Sequence, residues 1–143
     1  MKINKELLSR LYKEYNELYF DGKLGKCDFA IFPKSNPSFG WYNGRDGKNG
    51  KPNDKIWIGT CIKWNKEKLK IVMIHEMIHM YNRRIDNCKL DGLFGHGKYF
   101  RRQCKRIKKD FGIDILSFND YEYIDKKNSP SLLERFIMWL IDR

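Results

Sequence analysis

The chain has 143 residues, long enough for one domain with a sizeable core and too short for two ordinary ones. Hydrophobic residues make up 41% and aromatics 15%, which excludes a disordered chain, and no apolar run approaches the length of a membrane span. The formal net charge of +11 builds a surface that attracts nucleic acid or another polyanion, with solubility alone as the plainer reading of the same excess.

From Ile3 to about Tyr19, apolar residues fall at Ile3, Leu7, Leu11, Tyr15 and Leu18, which predicts an amphipathic helix stopped by Asp21-Gly22. Charges recur every few residues there and leave no apolar segment of the kind a signal peptide needs, so a soluble, cytoplasmic protein is expected. Cys27 to Phe32 (CDFAIF) reads as a short strand halted by Pro33, and Phe39 to Tyr42 as a second. Asn43 to Asp54 (NGRDGKNGKPND) is polar and glycine-rich and reads as a mobile hairpin loop; Ile56 to Thr60 is a third strand. The expected sheet is small and mostly antiparallel. Lys66 to Arg84 reads as a buried central helix, apolar on more than one side through Leu69, Val72, Met73, Met77, Met80 and Tyr81.

After Gly97 a further helix is predicted, with Phe100, Cys104, Ile107 and Phe111 as its apolar stripe. Its other faces carry Lys98, Arg101, Arg102, Lys105, Arg106, Lys108 and Lys109, with no anion between Lys98 and Lys109. A merely solvated helix face mixes both signs, so this one reads as a polyanion contact, with Lys98, Arg101, Lys105 and Lys109 sharing one side and Arg102 beside them. Ser131 to Ile141 (SLLERFIMWLI) is a last apolar helix expected to dock on the body. The division expected is a core of residues 1–116 and a tail of 117–143, in an α+β fold acting as a monomer. Cys27, Cys61, Cys88 and Cys104 form no C-x-x-C pair and read as free thiols.

Only three histidines occur. His75 and His79 stand four apart on the central helix, so both imidazoles project from one face and can reach one metal ion. Glu76 between them is placed to act on a water at that metal without ligating it, the physical content of H-E-x-x-H. The competing reading is two core histidines, each needing a buried partner of its own. A catalytic zinc requires a third protein ligand and one open position. His96, in G-H-G, is the preferred third ligand, because imidazole adds no negative charge; Asp86 and Asp91 are the alternatives. Such a centre, with Glu76 as general base, points to hydrolysis of a peptide bond. Trp41, Tyr42 and Trp57 are candidates to line a cleft or stack on bases, and Tyr81 or Tyr99 to donate a hydroxyl to the oxyanion.

Three stretches together, L-Y-F-D-G-K-L (Leu18 to Leu24), H-E-M-I-H-M-Y (His75 to Tyr81) and G-H-G-K-Y-F (Gly95 to Phe100), resemble the SprT-like zinc metalloprotease family. The resemblance covers about residues 3 to 115. It implies His75, His79 and His96 as ligands of one zinc ion, Glu76 as catalytic base, and a zincin-like α+β core. It further implies a protein substrate associated with or crosslinked to DNA, single-stranded DNA included. The paired cysteines of the zinc ribbon that many members carry do not occur here, so DNA binding would rest on the basic body. Two other functions fit the same sequence: a nucleic-acid-binding module with a structural metal, and a zinc peptidase unrelated to DNA.

Overall fold

The computed structural model describes residues 1–92 and 95–117. The first helix, α1, spans Lys5–Phe20. The Asn4 side chain caps it by accepting from the Leu7 amide at 2.8 Å, and Asp21 ends it in the left-handed conformation. Its buried face is Leu8, Leu11, Tyr12, Tyr15, Tyr19 and Phe20. Leu18, expected on that face, is 51% exposed. The stripe shifts toward the tyrosines because a large ring buries more area than the leucine it displaces, and the Tyr12 hydroxyl still finds a partner in the Gly25 carbonyl.

Strands β1 (Asp28–Ile31), β2 (Gly40–Asp46) and β3 (Pro52–Ile58) form one sheet in the order β1-β3-β2. β1 runs parallel to β3, with Phe29 beside Ile56, and β2 runs antiparallel, with Trp41 opposite Trp57. The sheet is therefore mixed rather than mostly antiparallel, because β3 inserts between the two earlier strands. Most of Asn43 to Asp54, read from its composition as a loop, is strand: the ladder continues to Asp46 opposite Pro52. A hairpin with one face in water needs few apolar side chains, so composition hides it.

Helix α2 (Lys66–Arg84) is capped by Asn65 and buries Leu69, Val72, Met73, Ile74, Met77, Ile78 and Met80. Helices α1 and α2 pack on the sheet, and α3 (Lys98–Phe111) packs on α2 through Phe100, Cys104 and Ile107. Phe111, the last position of the predicted stripe, is 43% exposed but sets its ring edge-on to Tyr19. A short 3-10 turn, Ile115–Ser117, closes against α2 and α3. All four cysteines are free thiols. The helix expected at Ser131 to Ile141, and the tail beyond residue 117, lie outside the described residues. Among the described residues no helix is long and apolar enough to cross a membrane.

Candidate metal centre

Helix α2 carries His75 and His79 one turn apart, with His75 buried at 6% exposure. The third imidazole arrives from the segment before α3. Gly95 there has φ +76°, and any Cβ at that position would lie 3.3 Å from the His79 ring, so glycine lets the backbone come close enough for His96 to reach the pair. Asp91 holds the same segment from the other side. Its two carboxylate oxygens accept from the amides of Tyr99 (3.1 Å) and Phe100 (2.7 Å), the open donors at the start of α3. Gly97 leaves room for this, since a Cβ would sit 2.5 Å from Asp91 Oδ1.

The three Nε2 atoms converge. They lie 3.2 Å apart for His75 and His79, 3.1 Å for His79 and His96, and 3.4 Å for His75 and His96. Three ring nitrogens aimed at one point bring lone pairs together unless a cation lies between them. A tetrahedral zinc with nitrogen ligands at about 2.0–2.1 Å has ligand–ligand edges of about 3.3–3.4 Å, which these separations match. The residues therefore fit one metal ion. Among the described residues this is the one group of three or more ligating side chains that converges; the carboxylates of Asp86 and Asp91 do not join it. Asp86 fails because α2 ends at Arg84, so the helical spacing that would carry it to the histidine face no longer applies.

One ring supports all three ligands. Phe100, 1% exposed, stacks on His79 and meets His75 and His96 edge-on or nearly so, each at 4.8 Å between centroids. The pKa of His79 is pushed down to about 3 by burial first and by His96 second, so the ring is neutral, as a ligand must be. Glu76 is 2% exposed, with Oε1 3.9 Å from His75 Nε2. Its carboxylate packs on Gly40 of β2, where a Cβ would stand 3.0 Å from Oε1 and 2.8 Å from Val72. Gly40 was not singled out in the sequence: F-G-W-Y carries no signal that a helix will press against that glycine.

The centre opens on a cleft of about 510 Å³ whose walls include Trp41, Tyr42, Gly44, Glu76, His79 and Gly95. Tyr42 donates its hydroxyl to Asp54 at 2.5 Å, and burial together with that bond pushes its pKa up, so its proton is committed. Trp57 is stacked with Phe32 and is not among the described lining of the cleft. Tyr81 packs on Phe20, and Tyr99 lies beneath Lys98 and Arg102; neither is among the described lining of the cleft. Lys98, Arg101, Arg102, Lys105 and Lys109 are all exposed on α3. Arg106 is turned inward, donating to the Tyr19 carbonyl and to Gln103.

The sequence matches the SprT-like family over residues 8–120, most of the chain. This chain belongs to the SprT-like family. No match was found among curated proteins. The matched span holds most of α1, the whole sheet, α2 and α3, and so every residue described at the centre.

Proposed function

We propose that this SprT-like protein is a zinc-dependent endopeptidase with a zincin-like core, acting on proteins associated with or crosslinked to DNA. The observation that carries the reading is three Nε2 atoms within 3.1–3.4 Å of one another, next to a buried carboxylate on an open cleft. His75, His79 and His96 would hold the ion. When bound, zinc supplies a Lewis acid that acidifies water and polarises a carbonyl oxygen. Glu76 takes the proton from the attacking water and returns it to the leaving amine. Its buried setting against Gly40 keeps the carboxylate in one place between those two transfers. β2 is the edge of the sheet and borders the cleft, so an extended substrate can pair with its main chain and lie across Glu76. The exposed cations of α3 begin two residues after His96, which supports a polyanion held beside the centre.

Glu76→Gln tests the reading. Cleavage of an unfolded protein should be lost while one zinc per chain is retained; continued cleavage rejects Glu76 as base. A parallel assay with and without single-stranded DNA separates a DNA-directed peptidase, stimulated by the strand, from one indifferent to it.

A further inference from the structure

The wall of the cleft also includes Asn82, Arg83 and Lys89. Arg83 lies across Gly44 of β2, where a Cβ would be 2.6 Å from its Cδ, so its stem is fixed against the strand. Among the described residues its one close anion is Asp46, at 4.0 Å, and that carboxylate is shared with Lys89 at 3.9 Å and held much nearer, at 2.7 Å, by Arg84. Buried Nε of Arg83 has no hydrogen-bond partner among the described residues. Asn82 is 3% exposed, and neither atom of its carboxamide has a partner there. Unmet donors thus outnumber unmet acceptors: three N–H hydrogens from these two side chains against one carbonyl oxygen. Of the two carboxylates that line the cleft, Asp91 is engaged by the start of α3 and Glu76 stands at the metal centre. Asp86, four residues beyond Asn82, also has an oxygen without a partner among the described residues but is not part of the described cleft wall.

We propose that Asn82, Arg83 and Lys89 form a specificity subsite that takes an acidic side chain, Asp or Glu, of the peptide being cut. The inference rests on the peptidase reading above and adds its selectivity. A carboxylate supplies acceptors without donors, which is what this wall lacks, and its charge offsets the two cations. A Lys or Arg side chain in the same place meets like charge and is rejected. A nucleic-acid phosphate is the lesser candidate, because Asn82 and Arg83 line a cleft beside an edge strand rather than an open face.

The test is a profile of bonds cut by the zinc-loaded full chain in a mixture of unstructured peptides, read by mass spectrometry. The wild type should show Asp and Glu enriched, and Lys and Arg depleted, at one fixed position from the cut bond. Arg83→Glu should reverse that preference, with kcat/KM for an acidic peptide down about ten-fold or more. Arg83→Met, which keeps the stem over Gly44, should flatten the preference while zinc content and Tm stay near wild type. Identical profiles in all three proteins, or loss of DNA binding with an unchanged profile, overturn the subsite alone. No cleavage by the wild type overturns the peptidase reading and the subsite with it.

Discussion

Phe100 sets its ring against all three imidazoles, and it is also a core residue of α3. Phe100→Ala is therefore expected to cost about 3–5 kcal/mol of stability and to weaken zinc binding. Phe100→Leu, which refills most of the volume, should recover much of the stability and little of the ring contact. Urea unfolding and zinc competition titrations read the two effects separately. Gly40 acts on the other partner: Gly40→Ala pushes on Glu76 and Val72, so cleavage should fall at least about ten-fold with zinc content unchanged. The two residues differ in how far the sequence shows them. Phe100 falls in a short motif with His96 and at a periodic apolar position, so its burial is legible. The need for glycine at position 40 arises where β2 and α2 meet in space, and no local pattern encodes that meeting.

At the scale of elements, the hairpin and the end of α2 are joined by one ion-pair network. Arg84 donates from Nε to Asp54 at 2.9 Å and from Nη1 to Asp46 at 2.7 Å, and Asp54 also accepts from Tyr42. Asp54 is almost wholly buried, at 1% side-chain exposure, so Arg84→Met leaves an uncompensated charge and should cost about 3 kcal/mol in urea unfolding. The Arg84 bond, its largest cause, also holds the Asp46 carboxyl below the usual carboxylate range. Its folded pKa is thus below its unfolded one, so its contribution is complete above the unfolded value and is lost as pH falls through the folded value. Wild-type stability should accordingly drop on acidification below about pH 4, and the drop should be shallower in Arg84→Met. This network explains what the sequence concealed. The three helices are legible from apolar spacing, and the end of the first from Asp21-Gly22, while the caps at Asn4, Asn65 and Gly112 emerge only in the structure. The hairpin is held instead by polar side chains from α2, far away in sequence, so its composition looks like a loop.

For the molecule as a whole, the net charge of +11 is plain in the sequence, but which cations are available to a polyanion is not. Seven basic residues lie from Lys98 to Lys109, and two of them are engaged by neighbours within the fold. Arg106 is bound to Tyr19 and Gln103 and lies over the Phe20 ring, and Lys108 is paired with Asp114 at 3.3 Å. The remaining five, Lys98, Arg101, Arg102, Lys105 and Lys109, face solvent. If they hold single-stranded DNA, each phosphate contact contributes about −0.7 to the slope of log affinity against log salt. Replacing Lys98, Arg101 and Lys105 by glutamine should therefore flatten that slope by about 2 and weaken binding at low salt, leaving Tm and zinc content unaltered. Arg106→Gln is the internal control: it removes one charge from the same helix, yet should lower Tm and leave the slope nearly as it was. Fluorescence titrations at several salt concentrations measure both. Equal slopes for the triple variant and the wild type would mean that α3 is only a solvated face, and that the excess charge of this chain serves no contact with DNA there.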